Sequence, residues 1–180
     1  MSDAFEYDSA RSDELILVDE LDHEVGSATK ERVHLEGLLH RAFSVVLTRG
    51  EGDTLELLIA RRAYGKYHSG GLWANSCCSH PRAGEELFEA ARRRVHEELG
   101  CDVAGLEELG SFIYKTEFDD GLIEYEIDHV LVGECVGAPT PNPSEIAQLR
   151  WIKPDDLMAM LSQNPKRFAP WASKVFDYFL

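Results

Sequence analysis

Positive charge is scarce in this 180-residue chain: 18 lysines and arginines stand against 33 aspartates and glutamates, a formal net charge of -15. Such a chain cannot easily assemble a face basic enough to hold a row of phosphates, which excludes nucleic acid as a partner. Long hydrophobic runs are missing as well. No stretch approaches the roughly 18 apolar residues of a membrane helix, so no membrane partner is expected. Cysteine is sparse, at Cys77, Cys78, Cys101 and Cys135, with the first pair adjacent. That is too few for a disulfide-stapled secreted domain, and the expected setting is a reducing cytoplasm with free thiols. Residues 1–14 are polar and acidic, without the basic and apolar regions of a signal peptide. They are expected to be disordered or lid-like. With no internal repeat or low-complexity linker, residues 15–180 read as a single domain.

What is present is an ordinary hydrophobic content of 44% arranged in short periodic stretches. Leu15 to Asp19 reads as a buried strand and Asp22 to Gly26 as a turn. Ala28 to Leu39 has helix-compatible spacing, interrupted at Gly37. Ala42 to Thr48 and Leu55 to Ala60 form a hairpin around the turn Arg49 to Asp53. Glu85 to Gly100 is a helix, with Phe88, Ala91, Val95 and Leu99 as its apolar stripe, Arg93 on another face with Glu85, Glu89 and Glu97, and Gly100 as its stop. Leu109 to Thr116 and Ile123 to Cys135 read as strands joined at Asp119 to Gly121. Leu149 to Ile152 is a last strand, and Pro154 to Leu161 and Pro170 to Phe179 are closing helices. The mixture indicates an α/β or α+β fold.

The chemistry concentrates around Asn75-Ser76-Cys77-Cys78-Ser79-His80-Pro81, just before the long helix. In an extended segment Cys78 and His80 point the same way, and Cys77 the opposite way. A thiolate, an imidazole and carboxylates serve both metal binding and proton transfer. His34, His40, His80, Glu124 and Glu126 offer a nitrogen and oxygen donor set for Mn²⁺, Mg²⁺ or Zn²⁺, and each is equally readable as a solvated or hydrogen-bonded side chain. Cys78 is a candidate metal ligand, a proton donor or nucleophile, or a small buried hydrophobe. Tyr114 and Glu126 are candidates for proton transfer at carbon. Trp171 is either core or a π-face for a cation. Lys30, Arg62 and Lys66 are either surface charge or the local basic cluster that an anionic substrate needs on so acidic a protein.

The stretch Ser79 to Cys101 resembles the Nudix box, Gly-x5-Glu-x7-Arg-Glu-U-x-Glu-Glu-x-Gly-U with U apolar. Glu85, Arg93, Val95, Glu97, Glu98, Gly100 and Cys101 match it. Ser79 replaces the leading Gly, and Arg94 replaces a glutamate that binds Mg²⁺ in Nudix hydrolases. Leu39 to Ser44, Asn75 to Pro81, Ile123 to Glu126 and Ala169 to Trp171 resemble the signatures of type I isopentenyl-diphosphate Δ-isomerases, in order, over almost the whole chain. The resemblance implies a Nudix-like mixed β-sheet sandwiched between helices. It implies interconversion of isopentenyl and dimethylallyl diphosphate through a tertiary carbocation, supplying isoprenoid biosynthesis. By position, Cys78, Glu126 and Tyr114 match catalytic residues, and Trp171 the tryptophan facing the cationic carbon. His34, His40, His80, Glu124 and Glu126 match a divalent-metal site. Glu98 matches a residue holding a second Mg²⁺ on the substrate diphosphate. Lys30, Arg62 and Lys66, joined by Arg94, match the diphosphate-binding cations. The expected partner is a small-molecule diphosphate, the expected state a monomer or weak dimer. The competing readings are a diphosphohydrolase and a metal-stabilised binding module without catalysis.

Overall fold

A computed structural model describes residues 14–66 and 68–179. The expected disordered or lid-like segment lies outside the described residues except for Glu14, which opens the first strand. In chain order the elements are β1 (Glu14–Val18), β2 (Glu24–Thr29), α1 (Lys30–Glu36), β3 (His40–Arg49), β4 (Glu56–Arg62), β5 (Trp73–Ala74), β6 (Cys77–Ser79), α2 (Leu87–Leu99), β7 (Asp102–Glu117), β8 (Ile123–Val136), β9 (Ile146–Ile152), α3 (Pro154–Gln163) and α4 (Ala172–Phe176). Among the described residues no helix is long and apolar enough to cross a membrane.

All nine strands join one mixed sheet, and β3 is its hub. One edge of β3 runs parallel to β8 from His40 to Thr48. The other edge is shared in turn by β1 at His40, β6 from Phe43 to Val45, and β4 at Thr48 and Arg49. The hairpin expected between β3 and β4 therefore exists only near its turn, because β6 takes the place beside the middle of β3.

Alternation along β3 sends its two sets of side chains to opposite faces. Phe43, Val45 and Leu47 pack with Ala90, Ala91, Val95 and Leu99 of α2. Val46 packs on the other face, with Val130, Leu157 of α3, and Val175 and Phe176 of α4. Helices thus cover both faces of the sheet, as the family resemblance implies.

Three expectations need correction. Glu24–Thr29 is a strand where a turn was expected over Asp22 to Gly26 and helical spacing from Ala28, because β2 is exposed at all but Ala28 and shows no apolar alternation. Phe88 is 40% exposed, and Leu87 packs on the core in its place, since the helix begins at Leu87 and its buried arc runs through Ala90 and Ala91. The last helix is shorter than expected, α4 giving way to a 3₁₀ turn at Asp177–Phe179.

Gly100 ends α2 in the left-handed region at φ 61°, its N–H donating to the His96 carbonyl. A Cβ there would lie 2.6 Å from the Thr140 carbonyl oxygen. Gly100→Ala is expected to lower stability by about 1–3 kcal/mol through strain and that contact, read as a shifted midpoint in chemical denaturation.

Candidate active site

The same alternation that builds the core builds the site. His40, Ala42 and Ser44 of β3 share a face with Glu124, Glu126 and Asp128 of β8. The parallel register sets His40 beside Glu126 and Ala42 beside Asp128. On the other side of β3, the antiparallel register sets Cys78 beside Ser44 and Cys77 beside Val45. Cys77 accordingly points into the α2 core, and Cys78 into the site.

At one end lies an imidazole cluster. His34 comes from α1, His40 opens β3 and His80 follows β6; their ring centroids are 4.9, 5.2 and 5.7 Å apart. His34 Nδ1 lies 2.7 Å from the Lys30 carbonyl, and His40 Nδ1 lies 2.9 Å from the Leu38 carbonyl. Carbonyls only accept, so each Nδ1 carries a hydrogen and Nε2 is the atom left for the cluster. Glu126 Oε1 lies 2.9 Å from His80 Nε2 and 3.3 Å from His40 Nε2. One ligand atom from each of His34, His40, His80 and Glu126 lies within 4.8 Å of the others.

Charges at this cluster are strongly interdependent. Burial alone would raise the Glu126 pKa, but the hydrogen bonds from His40 and His80 outweigh it and hold the group as a carboxylate. Burial pushes His80 down to about 3 despite that neighbour. It also lowers His34, whereas in His40 the pull of Glu126 exceeds the cost of burial and raises the pKa. Three imidazoles and a buried carboxylate aimed at one another form a donor set that suits a divalent cation.

The thiol lies a short distance along the same face. Cys78 Sγ–H donates to Asn75 Oδ1 at 3.0 Å, and the Ser44 hydroxyl lies 3.5 Å away. Ser44 Oγ–H donates to Asp128 Oδ2 at 2.8 Å. Burial pushes the Cys78 thiol up to about 12, with the Asp128 carboxyl adding to it. Asp128 is itself raised well above the usual range by burial and by Glu126. Trp171 lies close by: its indole N–H donates to Asn75 Oδ1 at 3.3 Å, and the Tyr114 ring meets its edge at 6.4 Å between centroids. The Arg62 guanidinium sits 5.2 Å from the Trp171 ring centroid.

Cys78, His80, Glu126 and Trp171 line one cavity of about 60 Å³, together with Lys30, Arg62, Lys66 and Arg94. Lys66 pairs with Glu145, and Arg94 with Glu98 and with Glu97 at 2.9 Å. Glu98 lines an adjoining cavity that also touches Arg62, Lys66 and Cys78. Burial raises its pKa, against the opposing pull of Arg94. Tyr114 stands opposite Glu126 across the β7–β8 ladder and is buried behind Trp171.

Two members of the expected ligand set stand apart from it. Glu124 Oε1 lies 2.7 Å from His68 Nε2, a buried pair that engages the carboxylate away from the imidazole cluster. Cys78 is also outside the cluster, held as a protonated thiol by burial, with its hydrogen directed at Asn75 Oδ1. His68 had escaped notice because it sits in a glycine-rich loop with no periodicity. It stacks on Phe118 at 4.4 Å and meets Trp171 edge-on at 5.9 Å. Asp128 had a signal in the sequence, as the third acidic residue in the alternation begun by Glu124 and Glu126.

Comparison with known proteins agrees with this geometry. Residues 38–179 match the NUDIX domain model. The Isopentenyl-diphosphate Delta-isomerase 2 of Aromatoleum aromaticum is 45% identical over 165 residues, covering 92% of this chain and 85% of its own. The Isopentenyl-diphosphate Delta-isomerase of Photobacterium profundum is 42% identical over 170 residues, covering 93% and 94%. Among solved structures, a protein of Deinococcus radiodurans superposes with a TM-score of 0.70 at 24% identity, covering 93% of this chain and 99% of that one. A MutT NUDIX hydrolase from Burkholderia pseudomallei superposes with a TM-score of 0.63 at 18% identity, covering 79% and 98%. A sheet with helices on both faces, a box whose Arg94 neutralises its own glutamates, and relatives matched almost end to end place this chain in the NUDIX family, among the isopentenyl-diphosphate Delta-isomerases.

Proposed function

We propose that this chain interconverts isopentenyl and dimethylallyl diphosphate by moving protons at carbon, with Cys78 and Glu126 as the transfer groups. The observation that carries the reading is one small cavity lined by a protonated thiol, an ionised carboxylate, an indole and basic side chains. Hydrolysis of a diphosphate requires neither the thiol nor the indole.

In the forward direction the Cys78 thiol gives its proton to the terminal alkene carbon, leaving a tertiary carbocation. Glu126 takes a proton from the neighbouring methylene, and the double bond moves. The two groups suit these roles because their surroundings push them in opposite directions, the thiol toward its protonated form and the carboxyl toward its ionised form. In the reverse direction the roles exchange. Trp171 faces the developing positive charge with its π-system, a contribution of about 2 kcal/mol when desolvated. Buried Tyr114 supports the glutamate side from the neighbouring strand. Exclusion of water matters because water would trap the cation.

Lys30, Arg62, Lys66 and Arg94 hold the diphosphate. The cavity of about 60 Å³ is smaller than the roughly 300 Å³ or more of typical ligand pockets. Lys66 and Arg94 are now paired with Glu145 and Glu98. Exchanging those carboxylates for phosphate oxygens would release the cations and widen the entrance.

His34, His40, His80 and Glu126 would hold a divalent ion, with Glu124 recruited only if it leaves His68. Such an ion supplies fixed positive charge that biases the protonation of Glu126. Glu98 would contact an Mg²⁺ carried by the diphosphate.

Four measurements test this reading. Proton NMR of isopentenyl diphosphate with the protein and Mg²⁺ in D₂O is expected to show dimethylallyl diphosphate deuterated at a methyl group. Release of inorganic phosphate with the alkene unmoved would establish a diphosphohydrolase instead. Cys78→Ala is expected to lose at least about 100-fold in kcat while remaining folded; near-normal turnover would remove Cys78 from the reaction. Glu126→Gln is expected to lose both turnover and bound metal, measured by elemental analysis of the purified protein. Trp171→Phe is expected to keep more activity than Trp171→Ala, and the reverse order would count against a π-face role.

A further inference from the structure

Asn75 occupies the short connection between β5 and β6 and is 2% exposed. Its side-chain amide has no spare hydrogen. Nδ2 donates to the Val45 carbonyl at 3.1 Å and to the Cys77 carbonyl at 3.0 Å. Turning the amide over would lose both bonds and set its oxygen against two carbonyl oxygens, so the orientation is fixed by the backbone on both sides. Oδ1 is thereby held on the opposite side, where it accepts from the Cys78 thiol at 3.0 Å and from the Trp171 indole N–H at 3.3 Å.

We infer that Asn75 is a positioning residue that clamps the Cys78 thiol and the Trp171 ring to one amide oxygen, fixing proton donor and π-face relative to each other. The inference rests on the isomerase reading, in which those two groups act on adjacent carbons of a substrate. Cys78 comes from β6, whereas Trp171 comes from a segment far along the chain, just before α4. Their only shared hydrogen-bond partner among the described residues is Asn75. The amide contributes no charge and no proton; it acts by geometry. Without it the thiol keeps only its 3.5 Å contact with the Ser44 hydroxyl, and the indole loses the anchor that sets the tilt of its face. The Arg62 guanidinium above the ring and the rings of Tyr114 and His68 at its edges remain, but none of them constrains the indole N–H.

The test follows turnover and the Trp171 indole resonance together. The indole N–H signals of the three tryptophans, Trp73, Trp151 and Trp171, are assigned in the ¹⁵N-labelled protein. Asn75→Ala is expected to lower kcat about 100-fold, the scale of a misplaced reacting group, and to leave KM where it is. In the same variant the Trp171 indole signal is expected to move to the position of an unbonded N–H. Asn75→Ser, too short to reach either partner, serves as the second variant if Asn75→Ala does not fold, with the same result expected. The inference is overturned if folded Asn75→Ala or Asn75→Ser keeps the wild-type kcat. It is equally overturned if the rate falls with the Trp171 signal unmoved. Absence of isomerisation by the wild-type protein would instead sink the isomerase reading, leaving the indole signal to judge the clamp.

Discussion

The parallel pairing of β3 with β8 is the constraint on which everything else at the site depends. It sets His40 beside Glu126 and Ala42 beside Asp128. The antiparallel approach of β6 on the other edge then sets Cys78 beside Ser44. A slip of one residue in either ladder would turn the shifted strand's site residues to the α2 face, where Phe43, Val45, Leu47 and Cys77 pack. The apolar residues that alternate with the polar ones lock the register, so the core and the site enforce each other.

That arrangement buries three carboxyl groups on one strand face, Glu124, Glu126 and Asp128. They share the burden unequally. Glu126 keeps its charge because two imidazoles surround it. Glu124 is matched to His68, and Asp128 is driven toward its neutral form and takes a hydrogen bond from Ser44. The negative charge of this face is concentrated on one residue, while Lys30, Arg62, Lys66 and Arg94 line the same cavity. A strongly acidic protein thereby keeps a local field suited to an anionic ligand.

Much of this was legible in the sequence. The alternation of Ala42 to Thr48, the stop at Gly100 and the Pro at the start of α3 each state their structure locally, through side-chain period, backbone freedom and a fixed φ. The order of the signature stretches pointed to the residues that line the cavity. What escaped was decided by competition between neighbours rather than by local pattern. β2 has an exposed face and no apolar rhythm. Phe88 lies one position off the buried arc. Glu124 matches Glu126 in type and spacing, yet His68 claims it, and nothing in the loop around His68 marks that partner. Asn75 stood inside a quoted motif, but its role depends on carbonyls and an indole that only folding brings near.

Residues that meet in the β3–β8 ladder are far apart along the chain: His40 and Glu126 are separated by 86 positions (126 − 40). Pairings of such long range form slowly, after local helices and turns. Until β8 and the segment carrying Trp171 have docked, Cys78 is an unshielded thiol of ordinary acidity, next to Cys77. The burial that keeps the thiol protonated in the finished protein therefore comes only with those long-range pairings. Until then Cys78 carries the thiolate fraction of an ordinary cysteine, and refolding with a reductant present is expected to return more active protein than refolding in air.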